Sequence, residues 1–207
     1  IGGHIYAIGN LYDRPFDLLR VRPDELRNLT QMQFPLNNPA MEAQMRALVD
    51  QARSEGDSVG GVLETAIIGM PAGIGEPFFN WVESTLAHLL FSVPAVKGVE
   101  FGAGFEVARR RGSENNDLII NAEGATATNN DGGVNGGITN GNPIVVRAAV
   151  KPTPSIARPQ ETFDFERGEV AELQIKGRHD ACIALRAAIK SCSASCLSAV
   201  ICSICSA

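Results

Sequence analysis

The chain has 207 residues, of which 44% are hydrophobic and 20% charged, a composition that suits one globular domain with a sizeable core. Its net charge of −5 and aromatic content of 6% argue against a nucleic-acid partner, since cations are not in excess and few aromatic rings are present for stacking. No uncharged apolar run is long enough to span a membrane, and the first ten residues lack the pattern of a signal peptide. We therefore expect a cytoplasmic protein with no membrane partner.

The first forty residues are rich in proline and predict loops. Asn38 followed by Pro39 is typical of a helix start, with Asn as the N-cap and Pro at the first helical position. Gly56 then ends this first helix.

The next segment predicts a strand, a helix and a second strand. Residues 59–68 are apolar and β-branched, and residues 96–101 have a similar pattern. Pro77 is expected in the first turn of the helix between them, and Pro94 ends it. The buried stripe of this helix is predicted to be Phe78, Val82, Leu86, Leu89 and Leu90. His88, on the same helix, is expected to be a core residue with its ring nitrogens satisfied.

The rest of the chain alternates between loops and short strands. Residues 124–142 are rich in Gly and Asn and predict a long loop, either functional or disordered. Strands are predicted for residues 143–150 and for residues near 169–175.

The common nucleotide motifs are not supported. Gly102 and Gly104 follow a predicted strand, but Val107 stands where a dinucleotide fingerprint needs Gly or Ala. A Walker phosphate loop is missing from the sequence altogether.

The cysteines do not predict a metal site. Five are present, and four lie within residues 192–207, where no histidine accompanies them as a zinc site would require. Their uneven distribution also argues against a disulfide framework. We expect reduced thiols and no metal.

Three segments carry candidate chemistry, each with a simpler alternative. The glycine doublets of residues 132–137 would let backbone N–H groups approach an anion or a flat ring; the simpler alternative is a flexible surface loop. The 151–155 stretch, with one ammonium and two hydroxyls between prolines, would bind a phosphate or carboxylate; the simpler alternative is a Pro-rich turn. In Arg178-His179-Asp180, the neighbouring cation would keep the carboxylate of Asp180 ionised and able to accept a proton. The simpler alternative is an ordinary ion pair on the surface.

Several blocks of the sequence, taken in order, resemble the chorismate synthase family. GDSVGG at residues 56–61, GMPAGIGEP at 69–77 and SVPAVKGVEFG at 92–102 are similar to family motifs. RGSE at 111–114, the Asn- and Gly-rich loop at 129–137, KPT at 151–153 and KGRHD at 176–180 follow in the family's order. The resemblance covers residues 1–186 and implies the α+β fold of that family, with helices sandwiched between antiparallel β-sheets.

The resemblance implies a lyase of the shikimate pathway. Such enzymes convert 5-enolpyruvylshikimate 3-phosphate to chorismate by a 1,4-anti elimination of phosphate, and they require reduced FMN although no net redox change occurs. NADPH is a candidate source of the reducing equivalents, and the family is commonly homotetrameric. By position, Asp180 corresponds to the family's catalytic aspartate, and Arg178 to a residue that meets both substrate and cofactor. The other FMN contacts carried over are Pro94, Ala95, Gly136, Lys151, Pro152, Thr153, Pro154 and Ser155.

Two departures from the family pattern shape our expectations. The family's first half, with its histidines and Ser-Ala-Arg segment, has no counterpart here, so we expect an inactive fragment. Residues 187–207 diverge into a Cys- and Ser-rich tail, which predicts a frameshifted or otherwise aberrant end. The alternative function is a non-catalytic flavin-binding or oligomerising remnant.

Overall fold

The computed structural model describes residues 1–76, 78–177 and 179–191. Within these ranges the strands are β1 (Gly2–Ile8), β2 (Leu11–Tyr12), β3 (Gly61–Ile67), β4 (Val96–Phe101), β5 (Val134–Asn135), β6 (Ile138–Thr139), β7 (Ile144–Val150), β8 (Gln160–Asp164) and β9 (Glu169–Leu173). The α-helices are α1 (Pro23–Gln31), α2 (Glu42–Ser54), α3 (Val82–Ser92), α4 (Gly112–Asn115) and α5 (Ala184–Ser191). Short 3₁₀ helices cover Pro39–Met41 and Gly104–Arg109.

Five of these strands form one antiparallel sheet in the order β2-β1-β3-β7-β4. The register places Arg147 of β7 opposite Glu64 of β3 on one side and opposite Glu100 of β4 on the other. Two separate antiparallel hairpins, β5-β6 and β8-β9, complete the strand pairings of the described residues. The predicted α+β class with antiparallel sheets is confirmed, and the antiparallel order rules out a Rossmann sheet.

One face of the sheet carries the main apolar core. Strand side chains such as Leu63 and Val146 alternate toward this face, where they pack with Met45 of α2, Leu90 of α3 and Ala184 of α5. The three helices therefore pack on one continuous apolar surface of the sheet, which fixes the positions of α2 and α5 relative to the strands.

The opposite face combines an apolar patch with buried charge. Phe16 and the α1 residues Leu26 and Leu29 cover Ala66 and Val145. Beside this patch lies a group of five polar residues that we call the His4 cluster. Its members are His4, Asp13, Glu64, Glu100 and Arg147.

The first forty residues differ from the expectation of loops, because β1 lies inside the sheet between β2 and β3. Its sequence, GGHIYAI, gave no clear strand signal, since glycine has low β propensity and His4 interrupts the apolar pattern. Gly2 is needed for close packing, since a Cβ there would stand 2.9 Å from the Cβ of Leu26. The structure therefore uses glycine where α1 crosses the strand.

The predicted helix after residue 68 begins later than expected. Trp81 is its N-cap and α3 starts at Val82, whereas Phe78 is 72% exposed and has a positive φ of 57°. Pro77, expected in the first turn, lies outside the described residues. His88 is exposed, so the prediction of a core histidine was wrong.

Other elements follow the sequence closely. The side chain of Asn38 accepts a hydrogen bond from Ala40 N, as an N-cap should, although one 3₁₀ turn precedes α2. β4 has the predicted bounds, and β3, β7 and β9 lie within theirs. Cys182 is a buried free thiol. The predicted tail falls, from residue 192 onward, outside the described residues.

No helix in the described part of the chain combines the length and apolar character that crossing a bilayer requires.

Candidate active site

The segment of residues 56–61, which we call the GDSVGG seam, joins two predicted site regions. Val59 N donates a hydrogen bond of 2.8 Å to Ala181 O, next to Asp180. Ser58 Oγ donates one of 2.7 Å to Thr153 O, inside the 151–155 stretch. Residues 95 positions apart in the chain are thus held together where β3 begins. From the sequence alone, GDSVGG was a motif similar to one of the family's, and no structural role could be given to it.

The glycines of the seam allow three backbone segments to meet. A Cβ on Gly60 would stand 2.7 Å from Val150 O and 3.1 Å from Pro152 Cδ. On Gly61 it would stand 2.6 Å from Ala7 O and 2.9 Å from Ala184 Cβ. Real side chains do not approach this closely, so any larger residue would push the 151–155 stretch or α5 away from β3.

The turn after α3 joins the same region. Lys151 N donates a hydrogen bond of 2.9 Å to Ala95 O, at the end of the β4-β7 pairing. Ala95 has a φ of 74°, which is uncommon for a residue with a Cβ and costs conformational energy. Pro94 is exposed beside it. Two of the predicted cofactor segments, residues 94–95 and 151–155, are therefore neighbours in the fold.

Asp180 lines a cavity of about 790 Å³ on the other side of the seam. Its Oδ2 lies 3.1 Å from Arg186 Nη1, an ion pair that orients the carboxylate. Residues 179–180 do not lie in a strand. Arg178, predicted to contact cofactor and substrate, lies outside the described residues. The cavity is lined by Arg53, Gly56, Asp57, Ile156, Ala157, Gly177, His179, Asp180, Ala181 and Arg186.

Two buried polar atoms in this region have no hydrogen-bond partner among the described residues. They are Thr153 Oγ1, in the 151–155 stretch, and His179 Nε2, in the cavity wall. Buried polar groups normally have a hydrogen-bond partner, so these two atoms are candidate contacts for a ligand. With the exposed ammonium of Lys151 nearby in the chain, these residues fit an anionic, hydrogen-bonding group such as the phosphate and ring edge of a flavin.

Gly136 occupies a different part of the structure. With Gly137 it forms the two-residue turn between β5 and β6, where both glycines have positive φ, at 58° and 84°. The predicted long loop thus contains a tight hairpin.

Gly136 also lines a second cavity, of about 510 Å³, whose described lining includes none of the 151–155 stretch. In that cavity, burial raises the pKa of Glu83, and the charge of Asp131 raises it further. Of the predicted cofactor residues that the structure describes, those of residues 94–95 and 151–155 therefore group around the seam, and Gly136 lies apart from them.

The loop that leads into the hairpin is held by a carboxylate for which the sequence predicted no role, that of Asp117. Asp117 accepts hydrogen bonds from Asn130 N (2.7 Å), Asp131 N (3.0 Å) and Thr128 Oγ1 (2.7 Å). The amide of Asn129 also bonds Pro143 O and Gly133 N. The clustering of Asn and Asp on both sides of the loop was the available signal, because these side chains bond nearby backbone.

Fold and site together define an α+β protein with an antiparallel sheet, a polar cavity at Asp180 and the 151–155 stretch joined to the same seam. A family model described as chorismate synthase matches residues 1–203. The chain belongs to the chorismate synthase family, whose members are lyases.

Individual relatives agree with this assignment. Chorismate synthases of Chitinophaga pinensis and Archaeoglobus fulgidus are 61% and 59% identical, over 63% and 65% of this chain and 39% and 38% of their own lengths. That of Korarchaeum cryptofilum is 49% identical over 80% of this chain and 47% of its own. The chain thus spans half or less of these relatives.

A solved structure supports the fold. A crystal structure of chorismate synthase is similar with a TM-score of 0.66 and 33% identity. The similarity covers 74% of this chain and 49% of that one.

Proposed function

We propose that this chain forms part of the active site of a chorismate synthase. The reaction is the 1,4-anti elimination of phosphate from 5-enolpyruvylshikimate 3-phosphate: the bond between carbon and phosphate oxygen breaks, a ring proton leaves, and chorismate forms. The observation that carries this proposal is the convergence of residues 94–95, the 151–155 stretch and Asp180 on the GDSVGG seam. These are the positions where the family resemblance predicts catalysis and cofactor binding.

The residues of this chain have separate tasks in the proposal. Lys151 and the hydroxyls of Thr153 and Ser155 bind anionic oxygens of reduced FMN, which when bound lends electron density to a reaction without net redox change. Pro152 and Pro154 restrict the backbone of the 151–155 stretch, so that its donors are oriented before binding. Pro94, Ala95, Gly136 and Arg178 are the remaining proposed cofactor contacts, and Arg178 also meets the substrate.

Asp180 is the proposed proton-transfer group. Its carboxylate lies 3.1 Å from the exposed guanidinium of Arg186. The carboxylate also lines the cavity, from which it can accept a proton of a group bound within hydrogen-bond reach. We further propose that NADPH reduces the flavin, that the complete enzyme is a homotetramer and that it is cytoplasmic. We also propose that the family domain covers residues 1–186 and that residues 187–207 form a divergent tail.

The test is an anaerobic assay of chorismate formation with reduced FMN and substrate, using the complete enzyme that carries this segment. Asp180→Asn keeps shape but removes the basic oxygen. We expect a loss of turnover of about a hundredfold or more with little change in FMN affinity. Asp24→Asn, on the exposed surface of α1, is the matched control and should leave turnover unchanged.

Near-normal turnover of Asp180→Asn would remove this residue from the catalytic role. Flavin binding without any chorismate formation by the unmodified protein would instead favour a non-catalytic flavin-binding remnant. Because the relatives are about twice as long as the matched region, we also propose that the 207 residues alone give no turnover.

A further inference from the structure

We propose that His179 is a ligand-binding residue of the cavity beside Asp180, where its Nε2–H donates a hydrogen bond to an anionic oxygen. The inference rests on the proposed function and extends it to a residue that neither the motif analysis nor the family resemblance assigned a role. Its first basis is the Nε2 atom itself, which is buried and has no hydrogen-bond partner in the described part of the chain. A buried ring nitrogen left unpaired is costly to the fold; in the tautomer that protonates Nε2, a ligand oxygen would accept its hydrogen bond and offset that cost.

The position of the ring is fixed by its surroundings. His179 lines the cavity together with Gly177, and a Cβ at position 177 would stand 3.4 Å from Cε1 and 3.6 Å from Nε2 of the imidazole. These are ordinary van der Waals distances, so the ring lies directly beside the backbone of residue 177 in the cavity wall. The seam holds the following residues, through the bond from Val59 N to Ala181 O, so the imidazole is carried on an anchored segment.

The cavity is large enough for an anionic ligand, and the charges of its wall are balanced. The wall contains two guanidinium groups, Arg53 and Arg186, and two carboxylates, Asp57 and Asp180. Asp180 is paired with Arg186, Asp57 lies 3.5 Å from Arg158, and Arg53 is paired with Asp50. Because each carboxylate has a cationic partner, the wall carries no unpaired negative charge that would repel an anionic oxygen at His179. A volume of about 790 Å³ lies within the range of small-molecule sites.

The anionic oxygen has two possible sources in the proposed reaction. One is the phosphate of FMN, and the other is a phosphate or carboxylate of the substrate. The chemistry at Nε2 is the same in both cases, so the experiment uses separate probes: FMN, riboflavin (which lacks the phosphate) and 5-enolpyruvylshikimate 3-phosphate.

The experiment compares His179→Asn, His179→Gln and the exposed control His88→Asn in the complete enzyme that carries this segment. Flavin binding is measured by the change in flavin fluorescence, and the substrate KM is measured at saturating reduced FMN. We expect His179→Asn to weaken FMN binding or raise the substrate KM by about tenfold or more. His179→Gln, which places an N–H near the same point, should stay within about threefold of the unmodified protein, as should His88→Asn.

The pattern of the effects identifies the source. Weaker binding of FMN but not of riboflavin assigns the oxygen to the cofactor phosphate, and a raised KM alone assigns it to the substrate. If His179→Asn fails to fold, Gly177→Ala is the second variant: Gly177 has a φ of 153°, which a residue with a Cβ rarely adopts, so the substitution strains the backbone two residues before the ring and should weaken binding in the same assays. Unchanged FMN affinity and KM in His179→Asn, or in Gly177→Ala where it replaces that variant, would overturn the inference. An unmodified enzyme that neither binds FMN nor forms chorismate would overturn the proposed function instead.

Discussion

Nε2 of His4 lies 2.9 Å from Oε2 of Glu64 in the interior of the protein, and solvent reaches neither side chain. The other ring nitrogen, Nδ1, lies 2.8 Å from Asp13 Oδ2. Glu64 also accepts hydrogen bonds from Phe16 N at 2.7 Å and from Arg147 Nε at 2.8 Å. Because both ring nitrogens face carboxylates, this arrangement favours the protonated imidazole, whose two N–H groups can both donate.

Replacing this cation should destabilise the protein strongly. His4→Phe keeps an aromatic ring but leaves Asp13 and Glu64 without the hydrogen bonds and charge that the imidazole supplies. We expect the free energy of unfolding to fall by about 3–5 kcal/mol, the range for breaking a buried ion pair. Urea denaturation measures it. His88→Phe, on the exposed face of α3, is the control and should change stability by less than about 0.5 kcal/mol. Equal effects at the two positions would contradict the prediction.

The His4 cluster should also make stability depend on pH. Burial lowers the pKa of His4, but the hydrogen bonds and charges of Asp13 and Glu64 outweigh burial and leave this pKa above its ordinary value of 6.5. A raised folded-state pKa means that the contribution is complete below about pH 6.5 and is lost as the pH rises through the folded-state pKa.

We therefore expect the free energy of unfolding to decrease above pH 6.5, with a slope of at most about 1.4 kcal/mol per pH unit for this proton. Urea midpoints measured in steps from about pH 6 to pH 9 would show it. His4→Phe should lack this component of the slope. Parallel pH profiles for the variant and the unmodified protein would mean that another group is responsible.

The GDSVGG seam predicts a position-specific effect of a single methyl group. Gly60→Ala would place a Cβ 2.7 Å from Val150 O and force the 151–155 stretch away from β3. We expect a destabilisation of about 1–3 kcal/mol, as for other overpacked sites, together with weaker FMN binding. Thermal unfolding and flavin titration measure the two effects. Gly112→Ala, where nothing lies within 4 Å of the added methyl, should be silent in both.

Lys151 provides a test of the cofactor stretch that does not depend on turnover. Removing its ammonium by Lys151→Ala should weaken FMN binding about tenfold or more at low salt if the ammonium contacts the cofactor's anionic group. The loss should shrink at high salt, because Lys151 is exposed and screening is effective there. Lys97→Ala, another exposed lysine, is the control. An unchanged FMN dissociation constant would make Lys151 an ordinary turn residue.

The sequence predicted well wherever apolar spacing or a cap determines structure locally. β4, β7 and the start of the helix region at Asn38 are of this kind, since β-branched runs and an Asn-Pro pair need no distant partner. It failed at β1, whose glycines and buried His4 are explained only by partners far away in the chain, Leu26 and Glu64.

The same distinction applies to the candidate site. Family motifs identified the segments, but their spacing could not show that Ser58 bonds the backbone of Thr153 or that Gly136 stands in a separate cavity. The unpaired nitrogen of His179 was equally invisible, because pairing is a property of the folded surroundings and not of the residue type.

The central position of β7 has a consequence for how the protein folds. Arg147 bonds Glu64 from 83 positions away and Glu100 from 47 positions away. The pairing of β7 with β3 is the most distant in sequence within the five-stranded sheet. Such contacts close late, because the entropy of a long loop is lost before the contact is gained. During synthesis, β3 and β4 therefore each have an unpaired edge until residues 144–150 leave the ribosome. Over the same interval, Glu64 and Glu100 lack the guanidinium of Arg147. Chaperone binding in that interval should concentrate on these two edges.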